Sequence, residues 1–185
     1  MVKRRNPKPS VEAKPSGKTV KLRTADGEIF EVEEAVAMEL RTVKIFFEDD
    51  GVPYDTAVPL LNVLSAALAK VIRYCRRAVE FSAKSAEAGD DEGAMEKVKE
   101  ERKAFEAEFV SDESNEALKE LILAAHYLNI EDMLSLLNQT VADRIKNKSV
   151  EYVRGLFGIE NNFSPEEEER LRQENAWAFE GVDAD

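Results

Sequence analysis

The stretch TVKLRTADGEIFEVEEAVAMEL, residues 19–40, decides the fold class of this 185-residue chain. Its first six residues alternate, which places Val20 and Leu22 on one face, as in a half-buried strand. Asp26-Gly27 is a hairpin signal, and the IFEV run after it reads as the return strand. The last residues of the stretch fit a short helix that ends near Leu40. The chain therefore begins with a β-hairpin and a helix.

The next segments add a second helix, a third strand and a long helix. Apolar residues recur at helical spacing from Val43 until Asp49-Asp50-Gly51 interrupts them. A short apolar run, residues 58–61, predicts a strand that ends at Asn62. Ser65 is the predicted N-cap of the long helix, whose apolar face holds Leu68, Val71, Ile72, Cys75 and Val79.

Helices dominate the second half of the sequence. Residues 82–103 are charged and small and lack an apolar period, so we expect a disordered or partly helical insertion. Strong amphipathic patterns then predict helices over residues 115–128 and through residues 133–145, followed by a shorter one over residues 152–159. This order predicts an α+β domain, with helices packed on a small sheet, followed by a helical extension.

The C-terminal stretch FSPEEEERLRQENAWAFE, residues 163–180, combines a strong helix start with few residues to bury. Ser164 with Glu167 forms a capping box, and Pro165 suits the first helical position. Two i,i+4 pairs, Glu166 with Arg170 and Glu168 with Arg172, support the helix. Two aromatic residues follow near the chain end. This weakly anchored surface is typical of one that a partner completes.

Composition excludes several classes of function. The net charge is −12, and residues 1–16 hold +4, so the rest of the chain carries −16. An acidic body argues against binding nucleic acid. The single cysteine, Cys75, cannot form an intramolecular disulfide and suits a reducing compartment. Without an apolar run of about 18 residues or a signal segment, we expect a soluble, intracellular protein that binds no membrane.

The sequence offers no case for catalysis, a metal or a cofactor. His126 is the single histidine and lies in the pattern of an amphipathic helix. No ligand spacing brings it together with Cys75 and carboxylates. The glutamate run at residues 166–169 is explained by a solvated helix start, and no glycine-rich phosphate loop occurs. We expect a protein that is not an enzyme.

Six segments, in order, resemble a known family: TADGEIFEVEEAVAMEL, VPLLNV, LAKVIRYC, LKELILAAHYLNI, QTVADRIKNK and NNFSPEEEERLRQENAWAFE. They are similar to the S-phase kinase-associated (Skp) adaptors of SCF ubiquitin ligases, over residues 18–180. The resemblance implies a BTB/POZ fold with a C-terminal helical extension. The expected organisation is a disordered basic tail (1–17), a BTB/POZ-like domain (18–146) with a disordered insertion at about 82–103, an F-box-binding extension (147–180) and a short tail (181–185).

The resemblance also implies a function and its residues. Family members are non-catalytic adaptors that join a cullin to F-box proteins in protein ubiquitination and degradation. His126 and Tyr127 occupy the positions that contact the cullin. Such an adaptor is a monomer within its complex, associates weakly with itself when free, and resides in the nucleus and cytoplasm. The expected F-box-binding residues are Leu121, Ile122, Ile145, Val153, Leu156, Phe157, Ile159, Phe163, Trp177 and Phe179.

Departures from the family pattern leave alternatives open. His126 replaces the usual asparagine, Leu61 replaces a proline, and Val150 replaces the proline that starts a helix in the family. A second hypothesis is therefore a POZ-type interaction protein that binds F-box proteins but no longer engages a cullin. A third, a nucleic-acid regulator that dimerises through its POZ domain, conflicts with the acidic charge. From periodicity alone, the apolar residues of the last third could also be ordinary core.

Overall fold

A computed structural model describes residues 18–49 and 56–182. The predicted basic tail (1–17), the Asp50-Gly51 break and the last three residues lie outside these ranges. Strands β1 (Thr19–Thr24) and β2 (Ile29–Glu33) pair antiparallel, and β3 (Val58–Leu60) pairs parallel to β1 on its other side. The predicted hairpin is confirmed, and Gly27 supplies the positive φ of 89° that its turn requires.

Helices follow the hairpin and fill the rest of the described chain. The predicted α+β class is confirmed, and the predicted helix at residues 115–128 has the bounds that the sequence indicated. The short helix after the hairpin ends earlier than expected, before Leu40. The helices are α1 (Glu34–Ala37), α2 (Arg41–Asp49), α3 (Ser65–Ala88), α4 (Glu92–Ser111), α5 (Asn115–Leu128), α6 (Glu131–Ile145), α7 (Val150–Phe157) and α8 (Pro165–Glu174), with a 3-10 turn at Ala176–Phe179.

The core lies between one face of the sheet and helices α1, α2, α3, α5 and α6. Alternation along β1 buries Val20 and Leu22 completely, and they belong to the same hydrophobic cluster as the buried stripes of α3 and α5. Helix α5 is central, because it packs against α2, α3 and α6. Leu40, in the connection between α1 and α2, is fully buried. The fully buried side chains of the helices include Leu68, Leu118, Leu121, Leu128, Met133 and Leu137.

Residues 82–103 are helical except for the connection at residues 89–91, which agrees with the partly helical alternative and not with the disordered one. They complete α3 and form most of α4, and the two helices pack side by side. The apolar period of this segment is weak because the aromatic packing between α3 and α4 lies on either side of it. Tyr74 and Phe81 of α3 form a chain of ring contacts with Phe105 and Phe109 of α4. An ion pair between Lys84 of α3 and Glu101 of α4, and the Asp91 cap at the start of α4, further stabilise the two helices.

The start of α3 also differs from the prediction. Leu64, not Ser65, is the N-cap residue, and Ser65 is the first residue of the helix. The Asp26 carboxylate accepts hydrogen bonds from the Ser65 amide at 3.1 Å and the Ser65 hydroxyl at 2.6 Å. The hydrogen bond from the Ser65 side chain is the main cause that lowers the pKa of Asp26. A residue distant in sequence thus supplies the cap and ties the hairpin turn to α3.

Arg144 on α6 joins three elements. Its guanidinium donates to the Asn115 side chain at 2.8 Å and to the carbonyls of Glu113 at 2.7 Å and Val110 at 3.3 Å. These acceptors lie at the end of α4, in the connection, and at the start of α5. The arginine therefore fixes the direction in which α5 leaves α4.

Replacing Arg144 with Met should lower the free energy of unfolding by about 2 kcal/mol, because charge-assisted hydrogen bonds to partly buried acceptors are lost. Urea denaturation followed by circular dichroism measures the change. Arg170→Met is the matched control, since Arg170 makes an exposed ion pair with Glu174 at 3.9 Å that should contribute under about 0.5 kcal/mol. Equal effects of both variants would contradict a special role for Arg144.

Candidate functional site

The C-terminal extension, residues 147–180, buries almost none of its apolar residues. Leu156 is its single buried side chain, and it lies outside the main core. Phe157 is 44% exposed, Phe163 51%, Ile159 57% and Trp177 74%. Four large apolar side chains exposed in one short segment are unusual for an isolated domain and mark an interaction surface.

Local signals explain why the two helices of the extension form without a core. The Ser149 hydroxyl accepts from the Tyr152 amide at 3.0 Å and caps α7. This cap gives α7 a defined start although Val150 stands where a proline was expected. The predicted capping box of α8 is confirmed, with Ser164 and Glu167 each accepting from the other's backbone amide.

A polar clamp between α7 and α8 holds the extension together. Arg154 donates to Glu168 at 2.9 Å, and the Asn161 side chain donates to the other oxygen of that carboxylate at 2.9 Å. Arg172 pairs with Glu151 of α7 and lies 3.6 Å from Glu168. The hydrogen bonds from Arg154 and then Asn161 lower the pKa of Glu168.

The two predicted i,i+4 pairs of α8 have different outcomes. Glu168 pairs with Arg172 as predicted. Arg170 instead pairs with Glu174, one turn further along the helix. Arg172 also lies over the Phe179 ring, with its guanidinium carbon 5.4 Å from the ring centroid. The clamp thus reaches the 3-10 turn that carries the aromatic pair.

The residues expected to bind an F-box differ in accessibility. The four exposed residues named above can meet a partner directly. Ile122, Ile145, Val153 and Phe179 are half-buried. Leu156 is buried at 6% exposure, within the extension. Leu121 is 1% exposed and belongs to the main core, so in this structure it supports α5 and does not reach the surface.

Exposed apolar residues that the sequence analysis did not select lie elsewhere. Leu123 is 67% exposed on α5, and Leu61 and Leu64 are 71% and 46% exposed in the turn after β3. The helical phase of α5 already distinguished Leu123, because it falls outside the stripe formed by Leu118, Leu121 and Ala125. The turn leucines had no comparable periodic signal.

The residues expected to contact a cullin lie together at the end of α5. His126 is exposed and Tyr127 is half-buried. The Thr42 hydroxyl of α2 donates to the Tyr127 carbonyl at 2.7 Å. Beyond the end of α5 at Leu128, a groove of about 580 Å³ lies between α2, α3 and the start of α6, with Ile45 at 45% exposure in its lining. This corner therefore offers an aromatic residue, an imidazole and a groove.

Reactive chemistry has little support among the described residues. Burial, and secondarily the nearby Glu39 charge, raises the pKa of the Cys75 thiol to about 12, so this thiol stays protonated at neutral pH. The described ranges contain no cluster of three or more His, Cys, Asp or Glu side chains placed to hold a metal ion. Over the same ranges no helix is both long and apolar enough to cross a bilayer.

Comparisons with known proteins cover both parts of the molecule. The profile of the Skp1 family tetramerisation domain, the POZ domain, matches residues 18–80, and that of the Skp1 family dimerisation domain matches residues 131–178. The chain is 51% identical to SKP1-like protein 1A of Arabidopsis thaliana, over 89% of this chain and 99% of that protein. It is 47% identical to SKP1-like protein 20 of Oryza sativa subsp. japonica, over 87% of this chain and 94% of that protein.

The clamp should depend on pH through Glu168. Because the folded state lowers the pKa of this carboxylate, its stabilising contribution is complete above the unfolded pKa and is lost as pH falls through the folded value. Acidification from pH 7 to about pH 3 should therefore raise amide exchange in α7 and α8 before it does so in α5. Hydrogen exchange with mass spectrometry measures this, after correction for the intrinsic rate.

Glu168→Gln is the control for the pH experiment, since it keeps the shape of the side chain and removes its titration. In this variant the extension should exchange faster at pH 7 and depend less on pH. A wild-type extension whose corrected exchange is independent of pH would refute the clamp.

Proposed function

The chain belongs to the Skp1 family, and from that premise we propose that it is an adaptor of SCF ubiquitin ligases that joins F-box proteins to a cullin. It performs no catalysis itself and acts by holding two partners in a fixed relation. The observation that carries the proposal is the C-terminal extension, which presents four large exposed apolar side chains, on α7, on the 3-10 turn and in the connection between α7 and α8, and buries a single residue. The substrate-recruiting F-box protein covers this surface.

The clamp between α7 and α8 is present in the free protein, and this lowers the entropic cost of binding a partner. Ordering a free segment on binding costs about 1–2 kcal/mol for each residue fixed. Helices α7 and α8 already have caps and ion pairs, so part of this cost is met in the free protein. The apolar side chains can then contribute to affinity in the bound state. This arrangement suits an adaptor that accepts different F-box proteins on one surface.

The end of α5 is the proposed cullin contact. His126 and Tyr127 match the family positions, and the hydrogen bond from Thr42 holds the helix end against α2. The His126 side chain is exposed, so a partner can reach it. The second candidate function, F-box binding without a cullin, rests on the same residue, because histidine replaces the amide that the family uses there.

Trp177→Ala tests the F-box half of the proposal. A fully buried tryptophan hides about 150–250 Å², and Trp177 is 74% exposed in the free protein, so most of that area is available to a partner. Truncating a central interface tryptophan typically costs about 2–4 kcal/mol, or roughly 30- to 1000-fold in affinity. Isothermal titration with an F-box protein should show a loss in that range.

The control for this measurement is Ile29→Ala, which truncates a 59% exposed apolar residue on β2. It should leave F-box affinity within about twofold of wild type. The Trp177 variant should retain its unfolding midpoint, because so exposed a side chain supports little of the fold. A loss of less than about threefold, or unfolding of the variant, would show that Trp177 does not hold the F-box.

Tyr127→Ala and His126→Asn test the cullin half. The first change should weaken cullin binding at least tenfold, about 1.4 kcal/mol, because it removes a half-buried aromatic contact at the helix end. The second should strengthen binding if histidine is a handicap there. Both are measured by titrating a cullin into the purified complex of the chain with an F-box protein, which should remain assembled. Unchanged affinity in both variants would remove this pair from the interface.

A further inference from the structure

The hydroxyl of Tyr74 is buried and has no hydrogen-bond partner among the described residues. Tyr74 lies on α3 with 3% of its surface exposed, and its ring packs against Phe105 and Phe109 of α4. The space beside it, lined also by Arg102 and Glu106, is too small to hold a water molecule. A buried hydroxyl without a partner destabilises the folded state, so the junction of α3 and α4 carries an uncompensated cost.

Arg102 of α4 lies beside this hydroxyl but donates to two carboxylates. Its Nε donates to Glu106 at 2.8 Å, and its Nη2 donates to Asp132 at 2.7 Å, in the first turn of α6. Burial, and then the Glu106 charge, raises the pKa of Tyr74 to about 12, while the nearby Arg102 charge opposes the rise. A guanidinium has more N–H donors than these two bonds use, so Arg102 has donors left for a third acceptor.

Asp132 is the acceptor that a partner can reach. Its side chain is 70% exposed, against 25% for Glu106. Asp132 and Tyr74 both line the groove between α2, α3 and the start of α6. A protein that places a basic side chain in this groove would compete with Arg102 for Asp132, because an exposed ion pair contributes little and exchanges readily. Arg102 would then be free to bond elsewhere.

The α3–α4 hairpin, residues 65–111, depends on few contacts in its outer half. No residue between 82 and 104 is buried, and the ion pair of Lys84 with Glu101 joins the two helices there. Such a pair contributes little to stability. A hydrogen bond gained by the buried hydroxyl, between α3 and α4, would therefore change how firmly the hairpin is closed.

We propose that Arg102 is a latch with two positions that couples Asp132 to the α3–α4 hairpin. In the first position, the one in this structure, Arg102 donates to Asp132 and leaves the Tyr74 hydroxyl unpaired. When a basic side chain of a bound protein takes Asp132, the guanidinium keeps its bond to Glu106 and turns to the hydroxyl. Because that bond joins α4 to α3, a partner in the groove tightens the hairpin without touching it.

A double-mutant cycle in the full chain tests the latch through a reversal of sign. In the wild-type background, Tyr74→Phe removes an unpaired hydroxyl and should lower the unfolding equilibrium constant about fivefold. Asp132→Ala imitates the loss of this acceptor to a partner. In that background Tyr74→Phe removes a hydrogen bond and should raise the constant about fivefold. Urea denaturation followed by circular dichroism measures both effects.

Glu131→Ala is the matched control, because it removes the neighbouring carboxylate of the same turn, which pairs with Arg41 at 3.8 Å. In that background Tyr74→Phe should still stabilise the protein. The reversal should also require the arginine. With Arg102→Met added to Asp132→Ala, Tyr74→Phe should again lower the unfolding constant, since no guanidinium is left to bond the hydroxyl.

Hydrogen exchange gives a local readout of the same switch. The amides of residues 95–106 should exchange faster after Tyr74→Phe in the Asp132→Ala background and more slowly after it in the wild-type background. A Tyr74→Phe effect of the same sign in both backgrounds overturns the latch. A reversal that also occurs in the Glu131→Ala background assigns it to the charge of the helix start and not to Arg102, which overturns the latch as well. If Arg102→Met fails to fold, the comparison of the Asp132→Ala and Glu131→Ala backgrounds decides alone.

Discussion

Burial of one stripe of α5 is the constraint on which the rest of the structure depends. Leu118, Leu121 and Leu128 are almost fully buried against neighbouring helices, and Arg144 fixes where the helix begins. Because an α-helix is rigid, fixing this stripe also fixes the direction of the opposite one. The outer face therefore presents Leu123 and His126 in a defined orientation. Packing of the core thus fixes the orientation of the outer face of α5, although that face takes no part in the core.

The C-terminal extension, unlike α5, is not held in place by burial in the core. Its helices are defined by caps and by ion pairs between α7 and α8, not by a core. The clamp consists of one half-buried ion pair, Arg154 with Glu168, and the more exposed pair of Arg172 with Glu151, so it is weaker than the packing around α5. It holds α7 and α8 together while leaving the apolar residues uncovered. If apolar contacts had joined α7 to α8 instead, they would have buried the side chains that a partner has to reach.

The sequence predicted features that depend on neighbouring residues. The β1–β2 hairpin, the bounds of α5 and the capping box of α8 each have local signals, and the structure contains all three. Features that depend on distant residues were missed. Asp26 caps α3 from the hairpin turn, and aromatic residues on both sides of residues 82–103 join α3 to α4. Leu121 was expected at the F-box surface from the family resemblance, whereas it is buried in the core, as its place in the apolar stripe of α5 allows.

Charge determines which partner the exposed surfaces accept. The chain carries a net charge of −12, and α8 holds five glutamates against two arginines beside the exposed aromatics. Two copies that met through their extensions would bring these acidic helices together, and like charges oppose that contact. A different protein without this charge avoids the repulsion and can cover the same apolar residues. The acidic helix thus adds repulsion to any contact between two extensions, while Trp177 and its neighbours stay exposed.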